Sequence, residues 1–234
     1  MFEAIASAAG GAALGWFAGG WLHPAVGVAM AVVAGLNGAI CGARHIYPWR
    51  RPQGVVAFVL DSTWACIPVL TGLGAHLIAF ATNGGYVPVL SERRSYHVYR
   101  RGAVPREGYA MTLGNVVSGA GAVDQPRRAK LVADHESVHV WQARWFGPAY
   151  LLLYGLWSAL AAVVAPVVWL ARGRREPFGR VVHSCAYYMN PFEWWAYSRD
   201  AVWPPSSMVR GLGWRRPAVQ SFAARRAASG REHT

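Results

Sequence analysis

Residues 133–150 read Ala-Asp-His-Glu-Ser-Val-His-Val-Trp-Gln-Ala-Arg-Trp-Phe-Gly-Pro-Ala-Tyr, and an apolar run to residue 171 follows at once. This stretch decides the fold. His135 and His139 are four apart, so on a helix they share a face about one turn from each other, and both imidazoles can reach one ion. Glu136 projects about 100° away, where it can serve a water that the metal activates rather than the metal itself. Gly147-Pro148 ends or sharply bends that helix. The run at 149–171 has about the length of one membrane crossing. A polar, metal-holding helix thus leads directly into an apolar one.

Composition places the whole chain in the same setting. Of its 234 residues 54% are hydrophobic and only 15% charged, against about 25% charged in soluble domains. Net charge is +12, with Lys130 the single lysine among 23 cations. The basic residues fall in loops and in the tail beside apolar segments, a pattern suited to cytoplasmic loops and anionic lipid headgroups. No nucleic-acid motif accompanies the charge, so nucleic acid is not an expected partner. Cys41, Cys66 and Cys185 lie far apart in apolar stretches, which gives neither a disulfide framework nor a thiolate zinc site. They read as small buried hydrophobes.

Outward from the motif, the N-terminus carries Glu3 and no basic residue before its apolar run, so it reads as a retained first transmembrane helix over 4–22 rather than a cleaved signal. Gly11, Gly15 and Gly19 fall at i, i+4 and i+8 and leave one face as bare backbone for a neighbouring helix. Pro24 can open a second helix over about 25–43. The stretch Arg44–Arg51 marks a cytoplasmic loop. A third apolar stretch, 55–82, contains Asp61, Pro68 and His76. Pro68 predicts a kink or break. Asp61 near its end is read either as a functional acid at membrane depth or as a helix-end group.

Residues 83–130 change character. Asn83-Gly84-Gly85 signals a turn, and 86–100 and 109–118 are rich in β-formers and predict two or three short strands with a hairpin. A helix over about 127–146 then carries the motif. Residues 181–199 read as helical with a break at Asn190-Pro191. The sequence therefore divides into 1–82 (transmembrane helices), 83–200 (metal-site region) and 201–234 (a basic, flexible tail). Four crossings with the N-terminus inside would put 83–147 outside, although that segment is rich in arginine. A re-entrant 55–82 keeps it inside, which the positive-inside rule favours.

A catalytic zinc needs a third protein ligand and an open position. Trp145 stands where the metzincin spacing would require histidine, which removes that class. Downstream, His183, Glu193 and Asp200 are available. If the chain turns back at Gly147-Pro148, His139 lies roughly 12 Å below the turn. A descent of roughly 34 Å along 149–171 and a climb of roughly 21 Å from 179 bring Glu193 to about the same level. Asn190-Pro191-Phe192-Glu193 is also a helix start, with Asn190 as N-cap and Glu193 reaching back as a capping box. Both readings stand.

His135-Glu136-x-x-His139 followed by a glutamate on a later helix resembles the gluzincin branch of zinc metallopeptidases. Glu193-x-x-Ala196 is similar to the Glu-x-x-Ala-Asp segment of membrane-bound members of that branch. His139-Val140-Trp141-Gln142, Gly147-Pro148 and Asn190–Glu193 also resemble a pattern found in uncharacterised bacterial membrane proteins. The resemblance covers about residues 130–200. It implies Zn²⁺ as cofactor, His135, His139 and Glu193 as ligands, and Glu136 as the catalytic base. Tyr197 departs from it, because the relatives carry an aspartate there that orients a histidine ligand. Tyr197, His183 and Asp134 are candidates for that supporting role or for holding the oxyanion, with Asp61 a further acceptor and Tyr187 and Tyr188 further aromatic candidates.

The combined expectation is a mainly α, multi-pass protein of the bacterial inner membrane. It has a bundle of about three to four apolar helices, a small β-hairpin and a zincin-like helix. The function implied is hydrolysis of peptide bonds in a peptide or membrane-protein substrate; the alternative is an inactive zincin-like scaffold or assembly protein that keeps a structural metal. Its expected partners are the lipid bilayer, the substrate and a membrane-protein complex.

Overall fold

The glycine spacing at the N-terminus is expressed in the packing. In the computed structural model, which describes residues 1–104 and 108–231, α1 (Phe2–Gly20) buries Ser7, Gly11, Gly15 and Gly19. That face meets α2 (Pro24–Ala43). A Cβ on Gly15 would lie 2.6 Å from the Met30 carbonyl oxygen, and one on Gly11 would lie 2.7 Å from that of Ala34. Only glycine lets these backbones meet. Pro24 sits in the first turn of α2, where its missing N–H costs nothing.

The chain divides into two compact units, residues 1–150 and 151–234. In the first, α3 (Pro52–Ser62) and α4 (Cys66–Ala81) are bent by 90° at the break between them. The sequence placed a break at Pro68, but the chain turns at 63–65. Pro68 lies in the first turn of α4, where a proline ring has no preceding turn to clash with. Asp61 ends up 1% exposed near the end of α3, with a partner that no local pattern announces. Arg144 donates to both its carboxylate oxygens at 2.8 Å, and the Tyr47 hydroxyl donates to it at 2.9 Å.

The two or three short strands expected over 86–100 and 109–118 are present as three among the described residues, though little of 86–100 is extended. Pro88 opens a single helical turn, α5 (Pro88–Ser91), and only β1 (His97–Val98) is extended pairing. β2 (Met111–Leu113) and β3 (Val116–Ser118) form the hairpin, paired Leu113 to Val116 across the turn at 114–115, with Gly114 at φ 56°. β1 joins β3 in parallel, so the order is β1-β3-β2 and β2 is an edge. Val87, Leu90, Val98, Val117, Val132 and Val140 pack into one core that binds the sheet to the helical run after it.

That run begins with α6 (Pro126–Leu131), passes through a π-helical turn at Val132–Glu136, and continues as α7 (Ser137–Phe146). Gly147 ends it at φ 51°, a left-handed conformation that favours glycine, and a Cβ there would strike the Trp64 indole.

α8 (Pro148–Ala171) follows. In the second unit, α9 (Phe178–His183) leads through a π-helical turn at Ser184–Tyr188 to α10 (Pro191–Arg199) and finally α11 (Phe222–Arg231). Ala165, Val181, Cys185 and Val209 form its core, and Trp194 stacks on Trp214 at 4.2 Å.

The architecture is mainly helical with one small sheet. Among the described residues two helices, α2 and α8, are long and apolar enough to cross a membrane, and α3 with α4 meets the same test only as a bent pair. α1 is not among them, although the sequence marked it as a crossing: Glu3, Ser7 and its glycines lower its hydropathy.

Candidate metal centre

The π-helical turn places His135 and Glu136 at the N-terminal end of α7, and His139 follows one turn later. Such turns insert one residue into an α-helix and often occur at functional sites. All three side chains are buried. The Nε2 atoms of His135 and His139 face each other at 3.2 Å. Two nitrogens on a tetrahedral zinc, each about 2.05 Å from it, stand about 3.3 Å apart. The pair is therefore spaced as ligands of one ion would be.

His139 is fixed from its other side. Its Nδ1 lies 2.8 Å from Gln142 Oε1, with the Tyr150 hydroxyl 3.4 Å away. An amide oxygen can only accept, so Nδ1 carries the proton and Nε2 keeps its lone pair for a metal. Gln142 lies one turn further along α7 and is 1% exposed. The motif quoted from the sequence included Gln142 but gave it no role. The i, i+3 spacing was the available signal.

Glu136 is held from the sheet. The Thr112 hydroxyl on edge strand β2 donates to Glu136 Oε2 at 2.7 Å. Sequence reasoning missed this contact, because nothing local links residues 112 and 136.

Glu193 lies in the first turn of α10. The capping box, one of the two readings of this segment, does not form. Asn190 caps the helix alone, its Oδ1 accepting from Phe192 N at 3.0 Å, while its own N–H is spent on the Tyr187 carbonyl. The Glu193 carboxylate instead accepts from the Tyr154 hydroxyl at 2.8 Å. His135, His139 and Glu193 each offer one ligand atom, and these atoms lie within 4.8 Å of one another. This buried His/His/Glu group could hold a metal ion.

The remaining candidates are placed as follows. Asp134 pairs with Lys130 at 3.2 Å. Tyr197 packs its ring 5.7 Å from that of Tyr188, and His183 stacks on Tyr187 at 5.1 Å. Burial lowers the pKa of His183, while the Glu193 charge acts in the opposite sense. Asp61 is committed to Arg144 and Tyr47. Among the described residues, none of these four belongs to the metal group.

No protein-family model, curated protein or solved structure matches the chain.

Proposed function

We propose that the chain is a membrane-bound zinc metallopeptidase. The observation that carries this reading is the facing pair of Nε2 atoms, 3.2 Å apart, with Glu136 adjacent in sequence and held by Thr112. His135, His139 and Glu193 would hold the metal. Zinc in such a site polarises a carbonyl and lowers the pKa of water. Glu136 takes the proton from the attacking water and passes it to the leaving amine. Thr112 keeps the carboxylate aimed, and Gln142 keeps His139 in the tautomer that can ligate. Edge strand β2 offers main-chain groups along which an extended peptide can add. His139 lies about 14 Å along the helix from Pro148, where apolar α8 begins. A substrate bond at or near the membrane surface fits that distance. The chain is read as a multi-pass protein of a bacterial inner membrane, with α2 and α8 as crossings and the bent α3–α4 pair as a re-entrant segment.

Two measurements test it. Purified protein should contain about one zinc per chain by elemental analysis. Peptide hydrolysis should vanish in Glu136→Gln while zinc stays bound. Zinc-free protein rejects the reading.

Tyr197, standing where related membrane enzymes have aspartate, favours a second reading: a zincin-like scaffold that keeps its metal for structure. Zinc retained in both forms, with no hydrolysis by either, would select it.

A further inference from the structure

The turn after α4 closes a second site, far in sequence from the motif. It is a cavity of about 320 Å³ lined by Arg44, Phe80, Asn83, Gly85, Tyr86 and Tyr99. Arg44 immediately follows α2, and Phe80 lies in the last turn of α4. The cavity therefore sits where two apolar helices end, which is headgroup depth if those helices lie in a bilayer.

Its cation is held ready. The Arg44 guanidinium carbon lies 4.1 Å from the centre of the Tyr86 ring, a cation–π contact that fixes the group and leaves its N–H donors available. Tyr86 is itself fixed, with its hydroxyl 3.3 Å from His97 Nδ1 and its ring 5.3 Å from that of Tyr99. Arg93, Arg100, Arg144 and Arg172 each hold a carboxylate. Arg44 and Arg101, like several other arginines of the described residues, hold no carboxylate. Arg101 donates to the Asn83 carbonyl at 3.1 Å, which brings a second uncompensated cation to the rim. Gly85, at φ 65°, adds no side chain to the mouth. From the rim an apolar strip runs down α4, where Phe80 is 91% exposed and Leu77 71% exposed one turn apart.

Two free cations at one end and an apolar strip at the other match an amphiphile with a negative head. We propose that this cavity binds an anionic membrane phospholipid, with the headgroup phosphate at Arg44 and Arg101 and an acyl chain along Phe80 and Leu77. A zwitterionic headgroup carries its own cation next to the phosphate, which offsets part of the attraction to the two arginines. The proposal rests on the membrane reading above.

The test uses the full chain in a nonionic detergent, with phosphatidylglycerol or phosphatidylcholine added and retained lipid counted by native mass spectrometry. One phosphatidylglycerol should be retained up to about thirtyfold more strongly than phosphatidylcholine, the scale expected for two cations beside an anionic headgroup. Arg44→Ala should remove that preference, and Arg44→Lys should keep most of it. Arg175→Ala, in an exposed loop, should leave it unchanged. If Arg44→Ala misfolds by circular dichroism, Arg101→Ala takes its place and should weaken the preference. Equal retention of the two lipids overturns the proposal, as does an Arg44→Ala or Arg101→Ala protein that behaves as wild type. Stabilisation by millimolar inorganic phosphate equal to that by phosphatidylglycerol also overturns it, since a free anion would then suffice. Carbonate washing of membranes is a separate arm. A chain that stays in the pellet yet does not discriminate between lipids sinks this site and leaves the membrane reading standing.

Discussion

The two ends of α7 hold two buried polar centres of opposite kinds. Near its C-terminal end, the Arg144 guanidinium is closed off by both oxygens of Asp61 and by the Ser95 carbonyl. Near its N-terminal end, two imidazoles present their Nε2 atoms to each other, with Glu136 next to His135 in sequence. In the first centre the charges neutralise each other, and the desolvation of each ion is offset by its partner. In the second, donor atoms converge on a point that another atom can occupy. The lesson is that burial of ionisable groups does not by itself mark a reactive site. Convergence of lone pairs marks a group that could hold a metal ion.

The largest effect should come from breaking the closed centre. Arg144→Met leaves Asp61 buried and uncompensated, and should destabilise the fold by about 3–5 kcal/mol in chemical denaturation. Adding Asp61→Leu should recover much of that loss, because the cost lies in the orphaned charge. An equally stable Arg144→Met protein would mean that water reaches Asp61 and that the centre is not closed.

The open centre should respond in metal affinity before it responds in stability. Gln142→Leu removes the acceptor that fixes the His139 tautomer, and zinc affinity should fall about 10- to 100-fold in competition with a chromogenic chelator. An unchanged affinity would show that another group orients His139. Thr112→Val should leave zinc in place and lower the hydrolytic rate about tenfold, through loss of a hydrogen bond to a charged group worth about 1.5 kcal/mol. A rate equal to wild type would show that Glu136 is aimed without it.

The smallest effect is a pH dependence of the first unit. His97 is fully buried, and burial pushes its pKa well below the usual histidine value, assisted by His76, Arg44 and Arg144. The unfolded chain binds this proton below about pH 6.5, and the folded chain does not. The neutral imidazole therefore supports the fold fully above about pH 6.5, and stability falls as pH drops below that, by at most about 1.4 kcal/mol per unit. Unfolding midpoints at pH 7.5 and 5.5 should show the loss, and His97→Phe should flatten it. A slope untouched by that substitution assigns the titration elsewhere.

The sequence carried those features whose cause is local. Gly11, Gly15 and Gly19 announced a bare helix face because their spacing repeats with the helix. Gly147-Pro148 announced a helix end because both residues act on their own backbone. His135 and His139 announced a shared face for the same reason. What stayed hidden depends on contacts across long spans of chain. The pairing of Asp61 with Arg144 joins residues 83 apart, and no period or spacing encodes such a partner. Thr112 reaches Glu136 only because the hairpin docks on the helix. Pro68 misled for a different reason: proline breaks a helix interior but suits a first turn, and the sequence alone did not say which position it held.

The π-helical turn at Val132–Glu136 carries one more consequence. It is a phase shift written into the chain. One surplus residue separates the angular frame of α6 from that of α7 by about 100°. The basic side chains of α6 and the imidazoles that follow are thereby set on independent bearings. Deleting a single residue in that turn would leave the composition of both helices almost untouched. It would still swing Arg127, Arg128 and Lys130 about a quarter-turn around the helix axis, so that register rather than residue identity governs which way that charge faces.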